Sequence, residues 1–254
     1  MTAWVAVIGM NGLLLAVAGL SLGVWERALG HRGATLERLL ALGVFALAWA
    51  TAWLLAAGMP ARLKLTQVAA LGAGSLVLLL AATRWPRRWP VAGSRWPRGA
   101  PALSRPGREI FRSPAACAAL GLSLAVAATV VLLGLITPPA GFDDLSYHLP
   151  LPATWLQEGR LAPFPAYGLL HYWTYYPGQG ELLYLWFVLQ RLERVVDLVP
   201  LGFALLGGAA VYGISRTLGA TRPTSVLAGT AFLLTPVVII QAKSNYVDVI
   251  LAAL

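Results

Sequence analysis

The chain is punctuated by apolar runs long enough to cross a bilayer, and this sets its class before any single residue is considered. Residues 3–24, 36–58, 67–82 and 115–136 are almost free of charge, and runs at 195–215 and 224–241 repeat the pattern. A helix needs roughly 20 residues to cross a hydrocarbon core of about 30 Å. The run at 67–82 is short and has to borrow flanking residues or thin the bilayer locally. With 58% hydrophobic and 11% charged residues, the chain has too little polar surface to cover a water-soluble globule. The sequence therefore predicts an all-α integral membrane protein, a polytopic helical bundle of six spans. Small residues at Gly72, Ala73, Gly74 and Ser75, and from Gly121 to Ser123, predict close helix approaches.

In a soluble protein a net charge of +9 would suggest nucleic acid as a partner. Here most basic residues sit in short connectors between apolar runs, where they set topology, and no nucleic acid is expected. The connector after the third run carries Arg84, Arg87, Arg88, Arg95, Arg98, Arg105, Arg108 and Arg112 against one acid, Glu109. The positive-inside rule makes it cytoplasmic. Its Arg-Trp-Pro triplets, at 84–86, 88–90 and 95–97, suit an anionic-lipid clamp or a Pro-broken topology loop with interfacial tryptophans.

The fourth run then leads outward, and both the loop from Thr137 and the N-terminus face the outside of the cytoplasmic membrane. Arg62 and Lys64 violate the rule slightly, outweighed by the arginine-rich connector. No Lys or Arg precedes Arg27, so the first run is expected to remain as a spanning helix rather than a cleaved signal. Cys117, the single cysteine, can form no internal disulfide.

Polarity returns at residues 138–181. Pro138 and Pro139 end the fourth span, GFDD reads as a turn, and 152–158 reads as a short amphipathic helix stopped by Gly159. The run ELLYLWFVLQ at 181–190 is too short to span and is expected to lie along the interface as a helix. Counting onward, 195–215 crosses inward, 216–222 turns on the cytoplasmic side and 224–241 crosses outward, which returns Lys243, Asn245 and Asp248 to the outer face. Were 181–190 a full span, Asp248 would land on the other side. The near-neutral segment 191–197 against the basic Arg216 and Arg222 favours the first arrangement. The chain stops at Leu254 inside the start of another apolar helix, so it is expected to be part of a longer protein.

Asp143 and Asp144 lie at this membrane boundary. Two adjacent carboxylates repel each other, which favours one of them taking up a proton, as a general base must. A cap on the LSYH segment that follows accounts equally well for Asp144. His148 and His171, with the acids, are ordinary ligands for a divalent metal, but their spacing is not diagnostic and no cofactor is firmly implied. Tyr172, Trp173, Tyr175 and Tyr176 suit either stacking on a sugar or an interfacial aromatic belt. Lys243, Arg160 or a loop histidine would supply a cation for phosphate; for Lys243 the alternative is a lysine that snorkels from the end of a span.

The order of these residues resembles a known family. Asp-Asp-Leu-Ser-Tyr-His-Leu-Pro at 143–150 is followed by Trp155, Leu156 and Gly159, by Tyr175, Tyr176, Pro177 and Glu181, by Thr235 and Pro236, and by Asn245, Tyr246, Val247 and Asp248. Together they resemble the GT-C glycosyltransferases of bacterial envelopes, the polyprenyl-phosphate-dependent, protein-mannosyltransferase-like and aminoarabinose-transferase-like enzymes. The resemblance covers residues 115–254, with an outer loop at 137–194; residues 1–114, three spans and the basic loop 84–114, stand as an N-terminal extension.

The resemblance implies a GT-C-like bundle that takes a sugar from a polyprenyl-phosphate donor and places it on an envelope glycan, lipid or protein at the outer face. Asp143 holds the place of the family's general base on the acceptor, Asp144 that of a second acid and Asp248 that of a further acid. Tyr147, His148, His171, Tyr175, Tyr176, Glu181, Lys243 and Asn245 are the residues expected to bind substrate. The rival reading is a transporter or flippase, which would place ionisable residues near the bilayer midplane on broken helices. A membrane scaffold has no sequence feature of its own.

Overall fold

The computed structural model describes residues 2–29, 35–84, 108–162 and 178–253. Among them every regular element is helical. Three long helices come first: α1 (Thr2–Leu29), α2 (Thr35–Gly58) and α3 (Leu65–Arg84). A single turn, α4 (Arg108–Phe111), precedes α5 (Pro114–Ile136). After a π-helical turn, Asp144–His148, come the short α6 (Pro150–Glu158) and α7 (Gln179–Leu189). A 3-10 turn, Glu193–Leu198, runs into α8 (Val199–Thr217), followed by α9 (Arg222–Leu233), α10 (Pro236–Ala242) and α11 (Asp248–Ala253). Helices α1, α2, α3, α5 and α8 with its 3-10 lead have the length and apolarity of membrane spans. Large apolar side chains such as Leu78, Leu124 and Leu132 point outward from them, as they do where the solvent is lipid. The architecture is that of a multi-pass membrane protein.

The sixth expected span is not one straight helix. α9 and α10 meet at 62°. Pro236 has no backbone N–H and keeps the preceding residue out of the helical region, and Thr235 is extended, with φ −62 and ψ 124. The apolar run at 224–241 is thus a bent pair of helices, which together have the length and apolarity of one span.

The chain forms two compact units, residues 1–104 with 155–162, and residues 105–154 with 163–254. In the first, α1 packs on α2 and α3. Trp49 Nε1 donates to Ser21 Oγ at 2.9 Å and Trp53 Nε1 to Ser75 Oγ at 3.0 Å. A Cβ on Gly72 would lie 2.7 Å from Leu13 and 3.2 Å from Trp53, so this one of the small-residue positions is a close helix crossing. Gly74 and Gly121 have open space instead. The segment after α6 joins this unit, with Leu63 N–H donating to Gly159 C=O and Leu161 N–H to Gly58 C=O. Helix α6 itself is the expected amphipathic helix. Leu151, Pro152 and Trp155 are buried, Gln157 and Glu158 exposed, and Gly159 ends it at φ +68.

The second unit has two distinguishable ends. At one, α4 packs on α5 and α9, Ser113 caps α5, and Arg216 closes the α8–α9 connection by donating to Ala220 C=O. At the other, Gly134 near the end of α5 meets Leu198 and Asp197 at the start of α8. Between them Val130, Leu201, Ala204, Val238, Ala242 and Val249 form the apolar core. The bent pair α9–α10 therefore travels from the Arg216 end to the Asp197 end.

Helix α7 appears where the short run predicts one, but it does not lie along an interface. Residues 180–186 and Leu189 are buried. A helix that is apolar on every side belongs inside a protein, and α7 is a core rod rather than a surface platform.

Candidate functional site

The site begins where α5 ends. Thr137 takes an extended conformation and returns both its N–H and its hydroxyl to Leu133 C=O, and the two prolines that follow cannot extend the helix. Helical geometry resumes at Phe142 and widens into the π turn, with Leu149 N–H donating to Asp144 C=O at 3.0 Å. Such widened turns are rare and recur at functional sites. GFDD is thus the lead into a π turn rather than a simple reversal.

The two adjacent acids have different surroundings. Asp144 is 2% exposed. Its Oδ2 accepts from Gly141 N–H at 3.0 Å, and its Oδ1 accepts from Asn245 N–H at 2.8 Å across 101 positions of sequence. Asp144 is therefore a tie between segments and not a cap on LSYH. Asp143 is half-buried, and its side chain makes no capping bond.

Four residues after Asp144, His148 Nδ1 meets Glu181 Oε1 at 2.6 Å, with both side chains buried. Tyr147 lies tilted at 42° against this imidazole, 4.0 Å between ring centres, and Tyr246 stands edge-on to it at 6.0 Å. Glu181 Oε2 has no partner among the described residues.

The segment between α10 and α11 completes the arrangement. Asn245 is fully buried: its N–H is given to Asp144, and its C=O accepts from the Tyr184 hydroxyl at 2.7 Å. The same hydroxyl lies 3.3 Å from Tyr246 C=O. The Asn245 carboxamide lies beside Asp197 without closing a hydrogen bond among the described residues. Lys243 is half-buried and its charge reaches Asp197. Asp248 is exposed at the start of α11 and accepts from Gln241 Nε2 at 2.8 Å.

The electrostatics follow from this crowding of acids. Burial, reinforced by Glu181, Asp144, Asp197 and Asp248, pushes the Tyr184 phenol far above its ordinary range, so it remains a donor. Burial, then Asp143 and Asp144, also raises Tyr246, and Asp248 adds to this.

Of the residues expected from sequence, Asp143, Asp144, Tyr147, His148, Glu181, Lys243, Asn245 and Asp248 gather at one end of the second unit. His171, Tyr175 and Tyr176, like Tyr172 and Trp173, lie outside the described residues. Arg160 belongs to the first unit, paired with Glu158 at 3.0 Å. Among the described residues no three His, Cys, Asp or Glu side chains converge to hold a metal. Tyr184 and Asp197 were not anticipated. Their signal is a polar group inside or at the start of an apolar run, where each needs a partner.

Chemically, the end offers a half-buried carboxylate at Asp143, an exposed one at Asp248 and an ammonium at Lys243, on a backbone fixed by Asp144 and Tyr184. No protein-family model, curated protein or solved structure matches the chain.

Proposed function

We propose that the protein is a membrane glycosyltransferase that moves a sugar from a polyprenyl-phosphate carrier to an envelope acceptor at the outer face of the cytoplasmic membrane. The observation that carries this reading is the 2.8 Å bond from Asn245 N–H to Asp144, which brings the Asp143 turn and the Asp248 helix start to one end of the same bundle. Asp143 is the base. Both oxygens of Asp144 already accept backbone N–H groups, whereas the Asp143 carboxylate accepts no capping bond among the described residues. It removes the proton of an acceptor hydroxyl as that oxygen attacks the anomeric carbon. The bond from that carbon to the phosphate oxygen breaks, the polyprenyl phosphate leaves with the electron pair, and the sugar inverts. Lys243 offsets the charge that develops on the phosphate. Asp248, at the rim, orients acceptor hydroxyls.

One observation favours the rival carrier reading, the 62° break between α9 and α10, since broken spans build transport sites. In sequence the break is flanked by Phe232, Leu233, Leu234 and Val237, with no ionisable residue between Arg222 and Lys243; the acids lie at the bundle end instead. Asp143→Asn in the full-length protein is expected to abolish transfer from a polyprenyl-phosphate sugar, at least a hundredfold on the scale of general-base catalysis, with membrane insertion unchanged. Undiminished glycan addition by that variant overturns the assignment. Accumulation of unmodified substrate in sealed vesicles would support the carrier.

A further inference from the structure

Helix α7 touches both parts of the acidic end. Glu181 reaches the π turn through His148 at 2.6 Å. Three residues on, and so on a neighbouring face of the same helix, Tyr184 reaches the carbonyls of Asn245 and Tyr246 at 2.7 and 3.3 Å. One turn before Tyr184, Gly180 lies so close to Val247 that a Cβ there would run into its side chain. Gly180 and Tyr184 thus hold residues 245–247 from one face of one helix.

The held segment has no regular structure of its own between α10 and α11, and its first backbone donor, Asn245 N–H, is given to Asp144. Asn245 is therefore gripped from both sides, its N–H by Asp144 and its C=O by Tyr184. The phenol is fully buried, and that burial first, then the nearby acids, raise its pKa, so at neutral pH it stays a donor.

We infer that Tyr184 is a positioning residue, the donor through which α7 sets the distance between the Asp143–Asp144 turn and Asp248. It touches no substrate. This role rests on the transfer reaction proposed above, but its structural part can be tested without it.

In the full-length protein in native membranes, with Cys117→Ala as background, Asn245→Cys keeps both backbone bonds and places a thiol at a fully buried position, which a water-soluble maleimide reaches only when the segment opens. Tyr184→Phe removes one oxygen and should speed that labelling about tenfold, the ratio expected when one buried hydrogen bond is lost. Without the probe cysteine, Tyr184→Phe should lower kcat for transfer about tenfold and leave KM for the polyprenyl-phosphate donor unchanged. Gly180→Ala, which displaces Val247 from the same face, should reproduce both effects. Unchanged labelling in Tyr184→Phe overturns the grip, and faster labelling with unchanged kcat overturns the positioning role. A labelling contrast in a protein that transfers no sugar at all sinks the glycosyl reading and leaves the grip standing.

Discussion

The two units solve the same problem, polar groups among apolar helices, in different ways. In the first unit Trp49 and Trp53 each give one indole N–H to a serine, and Ser21 and Ser75 pass their own protons to carbonyls four residues back, Val17 and Leu71. Each of these demands is met within a helix pair, and the buried Glu26 carboxylate of α1 likewise meets Arg38 of the next helix at 2.8 Å. In the second unit the buried polar groups include three carboxylates, Asp144, Glu181 and Asp197, and a histidine, whose demands are larger. Asp144 draws on Gly141 three positions back and on Asn245 across 101, and Glu181 draws on His148 across 33. In the first unit these ties join neighbouring helices, whereas in the second they bind distant segments to one another and leave Glu181 Oε2 without a partner among the described residues.

The sharpest way to break this contrast is to remove a buried charge. Asp144→Ala strands two backbone donors, each costing about 1–3 kcal/mol if left unpaired in a buried place. The expected result is destabilisation of the second unit by roughly 3 kcal/mol, with faster hydrogen exchange at Gly141 and Asn245 and little change in residues 2–84. Equal exchange in variant and parent at Asn245 would show that Asp144 is no tie at all.

How much of this could be read beforehand follows from the kind of interaction. The long spans were legible because hydropathy and length act locally, and Gly159 announced the end of α6 for the same reason. The gathering of Asp144 and Asn245 at one end was reachable by counting crossings between charged connectors. The break at Pro236 was also written in the chain, but a sixth apolar run of ordinary length concealed it. The burial of α7 was not legible, because a short apolar run is compatible with an interface and with a core, and only its neighbours decide. The role of Tyr184 depends on a partner 61 residues away, and no pattern within ELLYLWFVLQ points there.

A smaller effect separates the units by pH. All eight tyrosines lie outside residues 1–104 and 155–162, and in the second unit Tyr184 and Tyr246 have raised pKa values. Below the unfolded tyrosine value, about 10, both states keep the proton and the stability is whole. Above it the unfolded chain ionises first, so stability falls as pH rises toward the folded value. For the buried Tyr184 the expected loss is about 1.4 kcal/mol per pH unit, visible as an alkaline decline in the unfolding midpoint of the second unit. Tyr184→Phe should flatten that decline, and a profile of the same steepness in the variant would remove Tyr184 as its source.

The smallest effect sharpens the contrast from the other side. Ser75→Ala takes the acceptor from the buried Trp53 indole, yet hydrogen bonds between membrane helices average only about 0.6 kcal/mol. The unfolded helices find other partners in the bilayer, and the close contact of Gly72 with Trp53 and Leu13 survives the substitution. The expected cost is therefore under about 1 kcal/mol, read as a small drop in the unfolding midpoint of the first unit, with hydrogen exchange at Asn245 unaltered. A loss as large as that of Asp144→Ala would mean that a neutral indole–hydroxyl pair matters as much as a buried carboxylate, and the distinction between the two units would dissolve.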